Sequence, residues 1–126
     1  MSEANAITAP LIRRTSIRIF PSRTVCTGGL SHQLDGKRAG FINKAFDTLC
    51  MDSLARDPEA LAQYSIPQLV ELAGAQGVEF LNWMAMRGAL PGEVSELHRN
   101  YHIPISNTAA ATLVFENRPK AQRKAA

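Results

Sequence analysis

The chain has 126 residues, of which 45% are hydrophobic and 20% are charged. That balance is ordinary for a globular protein and excludes a disordered chain, and the length is enough for one domain with its own core. No apolar run approaches the ~18 residues that span a membrane, and no signal-peptide segment opens the chain, so we expect a cytoplasmic protein with no membrane partner.

The charge distribution argues against a nucleic-acid partner. The formal net charge is +3. Between residues 26 and 116, however, six Lys or Arg residues stand against ten Asp or Glu residues, so this segment carries −4. The basic excess lies near the chain ends, where charged residues are usually solvated. These basic residues are Arg13, Arg14, Arg18, Arg23, Arg118, Lys120, Arg123 and Lys124.

The two ends of the chain lack a sustained hydrophobic period. Residues 1–22 are predicted to be a disordered segment, or a segment that does not belong to the domain. Residues 118–126 are predicted to form a basic disordered tail. Residues 16–25 contain β-branched side chains, but Pro21 interrupts them and removes a ladder donor. We therefore expect at most an edge strand or two short pieces there, and one domain over residues 23–117.

Two helices are predicted in the first half of the domain. Apolar residues recur at helical spacing over residues 38–56, and an Asp-Pro pair ends that helix before a short helical turn over residues 59–63. A second helix begins at Ser65, because serine followed three positions later by Gln68 forms a capping box. It ends at Ala73, next to a glycine.

The second half of the domain is predicted to hold a third helix and a strand. The helix spans residues 77–87, which puts Glu79 in its first turn. A further helical turn is predicted over residues 93–100 and a strand over residues 112–116. The result is a mixed α/β layer in which helices outnumber strands.

A histidine after two glycines is the first candidate for chemistry. Gly28 and Gly29 let the backbone turn tightly, so that His32 is held at the end of a strand. An imidazole in such a place accepts and returns protons at physiological pH, as a general base does. The competing interpretation is a loop histidine bonded to a backbone carbonyl, and composition alone favours it, because the Gly-Gly-Leu-Ser-His run is not a stand-alone motif.

Local spacing predicts no complete metal site. Glu79 needs no role beyond facing the positive end of a helix dipole. His98 and His102 stand four residues apart and would share one face of a helix, but the proline that follows disfavours a continuing helix and no third ligand lies nearby. Cys26 and Cys50 are isolated in sequence and are predicted to be reduced thiols.

The run from Cys26 to Leu34, read with Glu79 and residues 101–108, resembles the catalytic (beta) subunit of class III extradiol ring-cleavage dioxygenases of the protocatechuate 4,5-dioxygenase and gallate dioxygenase type. The resemblance covers about residues 26–117 and corresponds to only the C-terminal part of such a subunit. It implies the C-terminal portion of that subunit's α/β fold, helix-rich with few strands.

The resemblance also implies roles for individual residues. His32 is the acid/base near the substrate and dioxygen, Glu79 is the carboxylate of a ferrous iron site, and Ser106 with Asn107 forms hydrogen bonds to the aromatic substrate. The family's iron site has two histidines and one carboxylate. This chain has nothing to match the two histidines, so we expect it to bind Fe(II) weakly and to be inactive alone.

The reaction implied is insertion of both atoms of dioxygen into a catecholic aromatic acid beside its two hydroxyl groups. Its partners are that substrate, dioxygen, and a missing N-terminal half or another dioxygenase subunit. Two alternatives stay open: half of a split enzyme, and a non-catalytic interaction module that binds other dioxygenase subunits.

Overall fold

The computed structural model describes residues 23–118. The predicted disordered segment (1–22) and all but the first residue of the predicted tail (118–126) lie outside these residues, as does most of the predicted strand over residues 16–25. In chain order the described elements are β1 (Arg23–His32), α1 (Lys44–Arg56), a 3₁₀ turn (Pro58–Gln63), α2 (Ile66–Ala73), a second 3₁₀ turn (Gln76–Glu79), α3 (Phe80–Gly88), β2 (Val94–His102) and β3 (Thr108–Asn117).

The three described strands form one antiparallel sheet in the order β1, β3, β2. The last residue of β1, His32, pairs with the first residue of β3, Thr108, and the last residue of β2, His102, pairs with Ala110. The end of β1 and the loop between β2 and β3 therefore lie at the same end of the sheet.

One face of the sheet forms the core with the helices. In β3 the alternate residues Ala109, Ala111, Leu113 and Phe115 are buried, as the two-residue period of a half-buried strand requires. They join the buried apolar residues of α1 and α3 in one core. Each Leu, Phe or Met side chain among them stabilises the fold by roughly 1.5–3 kcal/mol when fully buried. No helix within residues 23–118 is long and apolar enough to cross a membrane.

Helix α1 begins six residues later than predicted. Gly40 has a φ of +83°, outside the helical range, and the side chain of Asn43 accepts a hydrogen bond from the Phe46 amide at 3.0 Å. Asn43 is therefore the N-cap. The apolar residues before Asn43 continue the helical period, but they lie in a loop. Among them, Phe41 packs against Arg38, whose guanidinium carbon lies 4.1 Å from the centroid of the Phe41 ring.

The helical turn predicted over residues 93–100 is wrong, because this segment is strand β2. The sequence of β2 is mostly polar and shows no clear alternation, and its extended form depends on pairing with β3. The strand predicted over residues 112–116 is confirmed as part of β3, which is the central strand rather than an edge.

Three local predictions are confirmed. The short helical turn is the 3₁₀ turn Pro58–Gln63. The capping box of α2 is complete: the Gln68 amide donates to Ser65 Oγ at 3.3 Å, and the Ser65 amide donates to Gln68 Oε1 at 2.8 Å. The helix ends at Ala73, with Gly74 as its C-cap.

Candidate active site

His32 is the last residue of β1 and is 6% exposed. Its Nδ1 lies 3.0 Å from the Leu30 carbonyl oxygen. Because a carbonyl oxygen only accepts hydrogen bonds, Nδ1 carries a hydrogen and donates it. No other residue of the described part forms a hydrogen bond with the imidazole. The Nε2 lone pair is therefore available to accept a proton.

Gly28 and Gly29 lie inside β1 and do not form the tight turn that the sequence predicts. Gly29 instead permits a close approach. A Cβ at Gly29 would overlap Glu79 Oε1 and would lie 2.9 Å from His32 Cε1. The Glu79 carboxylate and the His32 imidazole thus lie side by side over the backbone of Gly29, whose carbonyl accepts a hydrogen bond from Trp83 Nε1 at 3.1 Å.

Glu79 reaches His32 because the segment before it lies directly against the end of β1. Glu79 is the last residue of the second 3₁₀ turn, immediately before α3. Gly74, at the start of this segment, has a φ of +87°, and a Cβ there would overlap the His32 carbonyl oxygen. A side chain at Gly74 would therefore separate the Glu79 segment from β1.

The loop over residues 33–43 is fixed to the same segment by side-chain hydrogen bonds. Gln33 Oε1 accepts from the Ala75 amide at 3.0 Å, and Gln76 Oε1 accepts from the Leu34 amide at 3.0 Å. Two side chains of this loop also donate to carbonyl groups at the C-terminus of α2. Arg38 donates to the Val70 and Glu71 carbonyls, and Asn43 donates to the Leu72 carbonyl. Arg38 and Asn43 are thus structural, and no chemistry was assigned to them from the sequence.

The sequence interpretation missed Asp47, a carboxylate that is 1% exposed. Its Oδ1 accepts from the Ser31 amide at 2.8 Å, and its Oδ2 accepts from the hydroxyl groups of Ser31 at 2.6 Å and Tyr101 at 2.7 Å. Burial, followed by the hydrogen bond to Asp47, raises the pKa of Tyr101. The helical spacing of Asp47 relative to Met51 and Leu54 could have indicated its burial, because it places all three on the apolar face of α1.

Ser106 and Asn107 lie in the loop that joins β2 to β3, and both are exposed. Asn107 has a φ of +53°, and its amide donates to the Pro104 carbonyl at 2.9 Å. Its side-chain nitrogen lies 3.5 Å from the position of a Cβ on Gly40. Since Thr108 pairs with His32, this loop is at the same end of the sheet as the histidine. Within residues 23–118, no hydrogen bond joins the side chain of Ser106 or Asn107 to His32 or Glu79.

Comparison with known proteins assigns this chain to a family. Residues 23–112 match the family of the catalytic LigB subunit of aromatic ring-opening dioxygenase. The chain belongs to this family. It is also 41% identical over 112 residues to gallate dioxygenase of Pseudomonas putida (strain KT2440), an alignment that covers 86% of this chain and 33% of that enzyme. The resemblance seen in the sequence is confirmed, and the chain spans about a third of the length of this relative.

The described residues of this LigB-family chain do not form a complete metal centre. No group of three or more His, Cys, Asp or Glu side chains within residues 23–118 is arranged to hold a metal ion. His98 and His102 lie on strand β2, so they do not share the face of a helix that a metal site at this spacing would need. Cys26 and Cys50 are free, as predicted. Both are also buried, and burial raises the pKa of both thiols. Among the described residues, Glu79 is the carboxylate that lies beside His32 over Gly29.

Proposed function

We propose that this chain supplies one side of the active site of an extradiol dioxygenase that cleaves catecholic aromatic acids of the gallate or protocatechuate type. The observation that carries the proposal is the juxtaposition of the His32 imidazole and the Glu79 carboxylate over Gly29. The remaining metal ligands come from outside residues 23–118, and the chain is inactive without them.

His32 is the acid/base of the reaction. Cleavage beside two hydroxyl groups requires the catechol to lose a hydroxyl proton, and Nε2 accepts it. Nδ1 keeps its hydrogen bond to the Leu30 carbonyl, which orients the ring and stabilises the imidazolium that forms.

Glu79 is the carboxylate ligand contributed by this chain. Fe(II) fits a set of two histidines and one carboxylate, and when bound it would supply the coordination of catechol and dioxygen. One carboxylate does not satisfy that geometry, so the described residues alone do not hold the metal tightly. Ser106 and Asn107, on the exposed loop at the same end of the sheet, form hydrogen bonds to the polar groups of the substrate.

A non-catalytic module that binds other dioxygenase subunits is a second candidate. It is favoured by the open outer face of the sheet, where Val25 is 53% exposed, and by β1 and β2, which are edges among the described strands. In this case neither His32 nor Glu79 would affect turnover in a complete enzyme.

A chimera distinguishes the two candidates. Residues 26–116 replace the matching part of the Pseudomonas putida gallate dioxygenase, and iron content and kcat are measured together. Glu79→Ala lowers iron occupancy. His32→Ala leaves iron bound and lowers kcat by on the order of 10²–10⁴.

Two variants serve as matched controls for this chimera. Glu71→Ala removes a carboxylate whose side chain is 82% exposed, and His98→Ala removes an exposed histidine. Both retain iron content and kcat. If Glu79→Ala and His32→Ala changed only the stability of the chimera, the proposed roles would be wrong.

A further inference from the structure

We propose that Asp47 is a positioning residue that holds His32 and the substrate loop (residues 103–107) in a fixed relation to each other. The inference rests on the proposed function, because it assigns the purpose of Asp47 to the proton transfer at His32. Its test nevertheless reads the geometry of His32 directly and does not require ring cleavage.

The hydrogen bonds of Asp47 join three elements. Asp47 is in the first turn of α1, Ser31 directly precedes His32 in β1, and Tyr101 is the last residue but one of β2. Ser31 is held at both its amide and its hydroxyl group by the same carboxylate. Its hydroxyl oxygen also accepts from the Asn43 amide at 2.8 Å.

This arrangement fixes the direction of the His32 side chain. The hydrogen bond from the Ser31 amide to Asp47 fixes the peptide between Leu30 and Ser31, and with it the Leu30 carbonyl to which His32 donates. The imidazole is then directed so that Nδ1 donates back to the Leu30 carbonyl and Nε2 points away from it. The third hydrogen bond, from Tyr101, fixes the end of the strand that leads into the loop with Ser106 and Asn107.

Packing alone gives no reason for a carboxylate at this position. In the described part of the chain, Asp47 has only neutral hydrogen-bond donors and forms no ion pair with Lys or Arg. A buried charge without a cationic partner is costly compared with an apolar side chain, even where the helix N-terminus offsets part of the cost. Three short hydrogen bonds to one anion are, however, both stronger and more directional than apolar contacts.

The phenol of Tyr101 is suited to this role. Its pKa is raised by burial and by its hydrogen bond to Asp47, so the hydroxyl group stays protonated and continues to donate at physiological pH.

The test uses the full chain, uniformly labelled with ¹⁵N so that both the histidine side chains and the backbone amides are observed. In the wild type, the His32 resonances show the Nδ1–H form, with slow exchange of that proton. Asp47→Asn, which keeps the side-chain volume, should accelerate this exchange by at least about tenfold, because an amide group cannot accept all three hydrogen bonds. It should also accelerate amide exchange in residues 103–107.

Single removals separate the two arms of the network. Ser31→Ala should alter the His32 signature and leave the loop unchanged, whereas Tyr101→Phe should alter loop exchange and leave His32 unchanged. Asp52→Asn is the matched control: it removes a carboxylate from the same helix that bonds only Arg99, and it should change neither readout.

The outcomes are decisive even if Asp47→Asn fails to fold, because Ser31→Ala and Tyr101→Phe then carry the test. Unchanged His32 and loop signals in folded variants would overturn the proposal, as would a uniform loss of stability with no local change. In the chimera, Asp47→Asn should retain iron and lower kcat by about 10-fold to 100-fold. Failure of the proposed function would appear instead as an unaffected kcat in His32→Ala.

Discussion

At the scale of single residues, the candidate site depends on the missing side chain of Gly29. The Glu79 carboxylate occupies the space where a Cβ would lie, and the His32 ring touches the same space. A methyl group at this position therefore has to displace one or both of these side chains. The absence of a side chain at Gly29 therefore leaves room for both groups, in addition to any effect on the backbone.

We predict that Gly29→Ala separates Glu79 from His32 and destabilises the fold by about 1–3 kcal/mol, the usual cost of overpacking. Urea unfolding gives the free energy, and the histidine resonances report the change at His32. Gly88→Ala is the control, because a Cβ there would have no neighbour within 4 Å. Equal stability and an unchanged His32 spectrum in Gly29→Ala would contradict the geometry described for this site.

The sequence indicated His32 and Glu79 only through the resemblance to a family. No local pattern shows that these two side chains lie over the same glycine, because this placement depends on the close approach of the Gly74 segment to the His32 backbone. Asp47 was missed because the helical period identifies the buried face of α1 from its apolar residues and does not indicate that a charged residue also lies on that face. Its partners, Ser31 and Tyr101, come from two other elements.

At the scale of elements, prediction succeeded where the determinants are local. The capping box of α2 lies within four residues, and its helix was predicted at both ends. Strand β2 was mispredicted because its own sequence is mostly polar without clear alternation, and its extended form depends on pairing with β3. The start of α1 was misplaced because apolar loop residues continue the period of the helix up to the true cap at Asn43.

Three buried ionisable side chains, one each in β1, α1 and β2, predict that the fold loses stability at alkaline pH. Burial raises the pKa of Cys26 in β1 and Cys50 in α1 above their usual 9.0, and that of Tyr101 in β2 above 10.0. Below pH 9 these groups are protonated in both the folded and unfolded states, so their contribution to stability is complete. Above it the unfolded state releases protons that the folded state retains, and stability falls as pH rises.

Urea unfolding between pH 8 and pH 11 checks this prediction. The free energy of unfolding should decline from about pH 9 and more steeply above pH 10. Tyr101→Phe should start from a lower stability at pH 8 and show a smaller further loss above pH 10. A stability that stays constant over this range would contradict the burial of these three groups.

At the scale of the whole molecule, the described residues combine a closed core with an incomplete set of metal ligands. Sixteen apolar residues are buried, and no buried side-chain nitrogen or oxygen within residues 23–118 lacks a hydrogen-bond partner. The site, in contrast, offers one carboxylate and one histidine, and the chain spans about a third of the related gallate dioxygenase.

Anaerobic titration of the chain with Fe(II) tests this central claim most directly. We predict no stoichiometric binding with a micromolar or better dissociation constant, because one ligand of three gives neither the affinity nor the geometry of the family's iron site. Stoichiometric binding at micromolar or lower Fe(II), abolished by Glu79→Ala and retained in Glu71→Ala, would contradict the account and show that this chain carries the complete ligand set.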